Sequence, residues 1–386
     1  MKIVFVSNYF NHHQQPFSDA MYEFIGDEYT FIETSEMREE RKKMGYMIDK
    51  FPPYVKQLRE NSPDSFGLLR LIDDADVVIA GSASEKILKN RKKNNKLLIR
   101  YQERIFGQNL SLRQIVQRAI AWKIRNFKNK QIYLLCASAY TAADYNRLGA
   151  FENKSYKWGY FPQVKHYDIT SLLSQKDIKK ILWCGRFLPW KHPEYALEVA
   201  NRLKIEGYSF SLDYIGSGEL ENKLIRSCEQ MGLDNNVSFL GYMKPERVRE
   251  YMEKSAIFMF TSNSAEGWGA VLNEAMNSGC AVVASHAVGS VPFLLKHTQN
   301  GLVFKSECVD DLYQRIKYLL DNPEERARLG ANAYRTIHDI WNPHIAAERF
   351  LKFAEQIQKN GICDMFDDGP CSKAGILNED WFGESN

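Results

Sequence analysis

Ala256-Ile257-Phe258-Met259-Phe260, then Glu266-Gly267-Trp268-Gly269-Ala270-Val271-Leu272-Asn273-Glu274-Ala275-Met276-Asn277-Ser278-Gly279, then Ala281-Val282-Val283-Ala284: two apolar runs enclose a glycine-bearing loop and a helical stretch. Apolar runs without polar alternation read as strands buried on both faces, and a helix joining two of them makes a parallel pair. The same alternation extends upstream, with strands at 180–185, 210–216 and 237–241 and helices between them. A second series occupies the first part of the chain. Strands at 3–7, 76–81, 96–100, 132–137 and 158–162 alternate with helices, of which the first opens at Pro16 and the next lies near 84–90.

Two strand-helix series predict an α/β chain of two Rossmann-like domains. Their expected limits are 1–165 and 180–340, joined by a polar linker at 166–179, with a closing helix at 341–360 and an acidic, mobile tail at 361–386. Open parallel sheets bind ligands beyond the carboxyl ends of their strands. Two such sheets facing one another would therefore share one interdomain cleft.

Composition narrows the function classes. Hydrophobic residues at 44% and charged residues at 26% are those of a globular protein that can bury a core. No run is long and apolar enough to span a bilayer, and Met1-Lys2-Ile3-Val4 enters a strand directly, so neither a signal peptide nor a membrane span is expected. Seven scattered cysteines without C-x-x-C spacing indicate neither a disulfide framework nor a zinc site, and fit a reducing cytoplasm. The net charge of +3 conceals a local excess: residues 104–130 carry Arg104, Arg113, Arg118, Lys123, Arg125, Lys128 and Lys130 and no acid. Interleaved with Ile115, Ile120, Trp122, Ile124 and Phe127, these read either as an amphipathic helix lying on an anionic membrane surface or as a solvated helix with its apolar side in the core. No nucleic-acid partner is expected.

The chemistry concentrates in the second half. Gly267 and Gly269 let backbone approach a ligand, and a helix starting there would turn free N–H groups and a positive dipole end toward an anion. Were the whole stretch helical, Glu266 and Glu274 would stand roughly 12 Å apart, one at each end of a bent sugar diphosphate. Upstream, Gly185-Arg186-Phe187-Leu188-Pro189-Trp190-Lys191 leaves a strand with two cations suited to a pyrophosphate leaving group.

These segments resemble family 4 of the retaining glycosyltransferases, of the bacterial surface-polysaccharide kind, which share the GT-B fold. The resemblance covers about residues 178 to 360. G-R-x-x-x-x-K is present as Gly185, Arg186 and Lys191, I-G-x-G as Ile215, Gly216 and Gly218, and V-x-F-x-G as Val237, Phe239 and Gly241. E-x7-E is Glu266 and Glu274, and a V-G-x-x-P turn follows as Val288, Gly289 and Pro292. The resemblance implies transfer of a sugar, with retention, from a nucleotide diphosphate donor, UDP being commonest and GDP the alternative. It implies that Arg186 and Lys191 hold the diphosphate, Glu274 the ribose and Glu266 the transferred sugar, with Gly216 nearby. Gly241, Tyr242 and Met243 would lie against the base, and the backbone of Gly267, Trp268, Gly269 and Ala270 against sugar or phosphate. No metal or other cofactor is implied, and the acceptor is a glycan or lipid-linked glycan, with the enzyme peripheral at the inner face of the cell membrane.

The first half departs from that family. Where many members have a glycine pair, the first loop reads Asn11-His12-His13-Gln14-Gln15-Pro16, and where some place a catalytic-site histidine the chain has Tyr101-Gln102-Glu103-Arg104. Asn11, His12, His13, Glu103 and Arg104 are therefore candidates for acceptor or cleft contacts, against the plain reading of exposed loop side chains. Asp74-Ala75-Asp76 matches D-x-D, but it precedes a strand and reads as a cap at the wrong end of it. The mixed-sign run at 36–43 reads as a solvated helix or an acceptor-side loop. An epimerase-like sugar-nucleotide enzyme, an inactive sugar-nucleotide-binding subunit and a dinucleotide oxidoreductase are the competing readings; no G-x-G-x-x-G follows the first strand.

Overall fold

The computed structural model describes the chain except residues 38, 40–47, 49, 60–62, 106–111, 127, 128 and 384–386. Most of the mixed-sign run at 36–43, with Phe127 and Lys128 and the side chain of Arg125, lies outside the described residues. The chain divides into two compact units, one comprising Met1–Gln163 and Trp341–Asn378, the other Val164–Ile340 and Glu379–Asn386.

In the first unit, β1 (Ile3–Ser7), β2 (Tyr29–Glu33), β3 (Val55–Gln57), β4 (Val77–Ala80), β5 (Leu98–Gln102), β6 (Ile132–Cys136) and β7 (Ser155–Lys157) form a parallel sheet in the order β3-β2-β1-β4-β5-β6-β7. β1, β4 and β6 are buried throughout, as their unbroken apolar runs require. β2 and β3 were not apparent in the sequence, and the last strand is Ser155–Lys157 rather than 158–162. Trp158 instead turns its ring onto Phe17 and onto Phe350 of the helix Pro343–Asn360, and Phe161 turns its ring onto Phe17. That helix, expected to close the fold, packs into the first unit, and the helix expected near 84–90 begins only at Lys89.

The tail corrects its expectation. Acidic composition suggested mobility, yet residues 361–374 lie along β7. Lys157 N–H donates to Ser372 O at 2.7 Å, Cys371 N–H to Lys157 O at 2.8 Å and Ala374 N–H to Ser155 O at 3.0 Å. Asp368 pairs with Lys157 at 2.7 Å, and Cys363 and Cys371 are buried. The free edge of β7 takes its hydrogen bonds from this segment. Beyond it, Trp381 and Phe382 stack near His286 in the second unit.

In the second unit, β8 (Asp177–Cys184), β9 (Ser211–Ile215), β10 (Val237–Phe239), β11 (Ser255–Phe260), β12 (Ala281–Ser285) and β13 (Leu302–Phe304) run parallel in the order β10-β9-β8-β11-β12-β13. The expected linker at 166–179 is structured: the helix Ile169–Ser174 is capped by Asp168, whose carboxylate accepts from Thr170 N–H at 3.1 Å, and β8 already starts at Asp177. The core lies between sheet and helices, from Ile181 and Trp183 to Leu312 and Ile316. In each unit the strand order reverses beside the first strand, between β1 and β4 and between β8 and β11. Loops leaving those strands flank the crevice where open α/β sheets bind ligands. Among the described residues no helix is long and apolar enough to cross a membrane.

Candidate functional site

The predicted residues of the second half gather on the loops that leave β8, β9, β10 and β11. Glycines set their spacing. Gly185 N–H donates to Ile215 O at 3.0 Å, and Gly216 N–H to Gly241 O at 2.8 Å, so the exits of three neighbouring strands stay in hydrogen-bonded contact. Gly216 has φ +134°, and a Cβ there would lie 1.9 Å from Gly185 O. At Gly218 a Cβ would lie 2.6 Å from Phe187 O. No other residue type allows this approach.

The β8 exit carries Arg186, which is exposed with its guanidinium 6.0 Å from the Trp190 ring, and Lys191 at the end of the short turn Pro189–Lys191. Lys191 donates to Glu266 Oε2 on the β11 exit, and Ser262 Oγ reaches the same oxygen at 3.2 Å. Both members of this ion pair are largely covered, with side chains 13% and 16% exposed, so solvent screens it only in part. The pair spans the point at which the strand order reverses.

The loop carrying Glu266 is tied down independently of that pair. Trp183 Nε1–H donates to Thr261 Oγ1 at 2.8 Å, Thr261 Oγ1–H to Lys191 O at 2.6 Å, and Asn263 N–H to Trp190 O at 2.9 Å. Gly269, with φ +79°, turns the chain where a Cβ would lie 2.3 Å from the Phe260 ring. Trp268 is buried and donates to Asn273 Oδ1 at 2.9 Å, so it serves packing while its backbone stays on the loop.

The helix begins at Val271, not at Glu266. Glycine at two of the intervening positions and the loop's bonds to the β8 exit hold residues 261–270 out of helical geometry, so the roughly 12 Å helical separation does not apply. Glu274 sits in the first turn of Val271–Asn277. Burial lifts its carboxyl above the usual range, and Arg249 on the helix Pro245–Lys254 pulls it back down. Burial also pushes the Cys184 thiol at the end of β8 up to about 12, with Glu274 adding to the rise and Lys191 opposing it. Glu274 and Lys191 thus both act on the end of β8. On the β10 exit Tyr242 is 54% exposed, beside Gly241 and Met243.

In the first unit the candidates separate. Asn11 Oδ1 accepts from His13 N–H at 2.9 Å, which folds the first loop, and the His12 and His13 rings lie 3.9 Å apart. His13 stacks on Tyr160 at 5.7 Å, and Tyr160 OH donates to Glu103. Tyr160, hidden in a run read as strand, is the member that the sequence did not reveal. Arg104 pairs with Asp144 at 3.3 Å, lies 4.8 Å from the Tyr140 ring, and has a side chain only 9% exposed.

Asp76 accepts from Lys2 N–H at 2.7 Å and Asp74 pairs with Lys96 at 3.6 Å, both at the entry of β4, so the D-x-D match lies at the end of the strand away from the loops above. The helix Leu112–Asn126 turns Trp122 inward onto Tyr145 and Phe151 and leaves Val116, Ile120 and Ile124 55%, 53% and 73% exposed.

Residues 166–336 match the family described as glycosyl transferases group 1. An uncharacterized glycosyltransferase of Haemophilus influenzae is 28% identical over 152 residues, 39% of this chain and 42% of that protein. The amylovoran biosynthesis glycosyltransferase AmsK of Erwinia amylovora is 26% identical over 183 residues, 46% of this chain and 45% of that protein. The alignments thus cover less than half the length of these relatives. The crystal structure of Anabaena HepE in complex with UDP superposes with a TM-score of 0.68 over 92% of this chain and all of that one, at 15% identity. That likeness shows the fold, GT-B, which the sequence resembles.

Proposed function

From the match of residues 166–336 to the glycosyl transferases group 1 family, we propose that this chain transfers a sugar from a nucleotide diphosphate sugar to a glycan or lipid-linked glycan acceptor, with retention and without a divalent metal. The observation that carries the reading is the Lys191–Glu266 pair across the β8/β11 reversal, with Arg186 beside it and Glu274 on the next helix. Cations and carboxylates alternate there as a sugar diphosphate requires: Lys191 and Arg186 neutralise the phosphates, Glu266 accepts from sugar hydroxyls and Glu274 from the ribose. The base lies against Gly241, Tyr242 and Met243. UDP is the favoured nucleotide, since HepE, the UDP complex of the same fold, supports it.

In the reaction the acceptor oxygen bonds to the anomeric carbon on the face from which the donor phosphate departs. The bond from that carbon to the phosphate oxygen breaks, and the acceptor proton passes to the departing phosphate. Arg186 and Lys191 stabilise the charge that grows on the leaving group. Asn11, His12, His13 and Glu103 are the acceptor-side residues, with Tyr160 fixing Glu103. The stripe Val116, Ile120 and Ile124, flanked by Arg113 and Lys123, supports a peripheral seat on an anionic membrane and, with the AmsK relative, a role in polysaccharide assembly.

A thermal-shift panel of UDP, GDP and their sugars, with EDTA present, tests the reading on the wild type and on Arg186→Ala and Glu274→Ala. Stabilisation by one nucleotide series, lost in both variants, is the expected result. Stabilisation by none, with the fold intact, would overturn the donor-site reading. Stabilisation only after EDTA is omitted and divalent metal supplied would remove metal independence.

A further inference from the structure

His192 follows Lys191 with φ +46°, in the left-handed region, and forms the hinge between the turn Pro189–Lys191 and the helix Pro193–Ile205. Its ring is held on three sides. Nδ1 lies 2.9 Å from Glu194 Oε1, Nε2 lies 3.2 Å from Asn263 Nδ2, and the ring stacks on Tyr195 at 4.5 Å. The orientation of the Asn263 amide is not arbitrary, because its Oδ1 accepts from Ala265 N–H at 3.0 Å and its Nδ2 must therefore face the imidazole. Nε2 is then an acceptor. The ring proton resides on Nδ1, where Glu194 takes it, so one tautomer satisfies every partner.

Asn263 is also the residue whose backbone binds the Glu266 loop to the Lys191 turn. Its N–H donates to Trp190 O at 2.9 Å, and its carbonyl accepts from Glu266 N–H at 3.0 Å. We infer that His192 and Asn263 are positioning residues for the donor site: the imidazole-amide bond holds the turn carrying Lys191 and the loop carrying Glu266 at one separation. This inference rests on the donor-site reading above. Neither side chain touches the donor in that reading, and both act through the two residues that do. A ligand that engages Lys191 and Glu266 gains from the tie because their spacing does not have to be ordered on binding.

The test uses the full chain. The tautomer of His192 is read from its ring nitrogen shifts by NMR in the wild type, Asn263→Ala and Asn263→Asp, and affinity for the nucleotide sugar that best stabilises the wild type is measured by calorimetry on the same proteins and on His192→Asn, which keeps a residue tolerant of the left-handed backbone. The wild type should show the Nδ1–H form, which Asn263→Ala keeps through Glu194, whereas Asn263→Asp places a carboxylate at each ring nitrogen and should give a ring protonated on both. Asn263→Ala and His192→Asn should bind that nucleotide sugar at least about fivefold more weakly while melting within a few degrees of the wild type. A wild-type ring protonated on Nε2, or variants that bind the nucleotide sugar as the wild type does, would overturn the inference. If the wild type binds neither UDP nor GDP, the donor reading and the positioning role that depends on it both fall, and the tautomer alone then reports whether the tie exists.

Discussion

Lys191, in the turn leaving β8, donates its ammonium to the carboxylate of Glu266, in the loop leaving β11. The two side chains neutralise each other across the strand-order reversal, and under the proposed function a donor separates them. Phosphate takes Lys191 and sugar hydroxyls take Glu266. The two members should therefore fail in different ways. Lys191→Ala removes a charge-assisted partner of the phosphate, worth about 1.5–3 kcal/mol, and should weaken UDP binding roughly ten- to hundredfold. Glu266→Gln leaves UDP binding no weaker, since it releases Lys191, but lowers turnover by about a hundredfold or more. Calorimetry with UDP and steady-state UDP release check the pair, and parallel losses in both assays would contradict the separation of roles.

Gly216 gives a stability prediction. With φ +134° and a Cβ position 1.9 Å from Gly185 O, Gly216→Ala both strains the backbone and drives the β8 and β9 exits apart. The cost should be about 3 kcal/mol or more. Gly241→Ala is the comparison, since its φ is +68° but nothing lies within 4 Å of the added carbon, and only about 1–2 kcal/mol of backbone cost is expected. Denaturant melts of the two variants should differ accordingly, and equal losses would mean that the approach to Gly185 is relieved by a loop shift.

Glu274 ties stability to pH with a sign opposite to that of an ordinary paired carboxylate. Burial raises its folded pKa above the unfolded value, Arg249 offsetting part of the rise. Between those two values the folded state holds more protons than the unfolded state, so this group's contribution to stability falls as pH rises through the window. Ligand-free Glu274→Gln should lose that component and melt at or above the wild type at pH 7. UDP binding should move the other way: a ribose contact needs the carboxylate, so affinity drops as the pH is lowered into the same window and is weak at every pH in the variant. Melting curves from pH 4.5 to 8, with and without UDP, separate the two effects.

The second half of the chain could be read closely from its sequence because its glycines and charges sit where strands end. Gly216 and Gly218 mark close backbone approaches, Gly241 and Gly269 mark positive-φ turns, and apolar runs such as 256–260 have no alternative to a buried strand. The first half was harder. β2 and β3 are short, and β3 exposes Lys56 and Gln57, which blurs the apolar signal. The run 158–162, which holds Tyr160, reads as strand because an aromatic pattern is the same whether its rings pack on a sheet or, as Trp158 does on Phe350, on a helix such as Pro343–Asn360. The tail misled because acidic composition says nothing about a segment whose backbone completes a sheet edge. His192 and Asn263 left no signal at all, since their relation is one of tautomer and amide orientation.

Arg91 was equally hidden, as the central residue of Lys89-Asn90-Arg91-Lys92-Lys93, a run that composition assigns to solvent. It is fully buried, and its guanidinium donates to Leu97 O and Ala75 O at 2.8 Å, Ile72 O at 2.9 Å and Asp76 O at 3.0 Å. Desolvation lowers its pKa to about 10, opposed by Asp73 and Asp76, so it stays charged at neutral pH. Arg91 joins the entries of β4 and β5 by satisfying carbonyls that have left regular structure. Arg91→Ala should cost about 3–5 kcal/mol, because several buried carbonyls lose their donor at once. Arg91→Lys should recover little of this, since one ammonium cannot span the carbonyls that the guanidinium fork reaches. Urea unfolding followed by circular dichroism measures both, and a lysine variant as stable as the wild type would show that charge rather than fork geometry matters.

The tail divides into two parts with separable effects. Residues 361–374 pair with β7, bury Cys363 and Cys371, and bring Lys373 Nζ to Tyr156 OH at 2.9 Å. Ending the chain after residue 360 exposes the β7 edge and the aromatic face beneath it, where Tyr156 meets Phe353. Three backbone hydrogen bonds to β7 at about 1 kcal/mol each, together with the buried side chains, set the expected loss at roughly 4 kcal/mol or more. The bare edge should also promote self-association. Ending the chain after residue 374 keeps that pairing and removes only the segment that brings Trp381 and Phe382 to His286 and His297. Burial holds both imidazoles below their usual pKa. Their contribution to stability is therefore lost as pH falls through the range in which the unfolded histidines protonate, and removing Trp381 and Phe382 should weaken that acid sensitivity while leaving the melt at pH 8 close to that of the full chain. Light scattering and melting curves on the two truncations decide between this division and a tail that contributes evenly along its length.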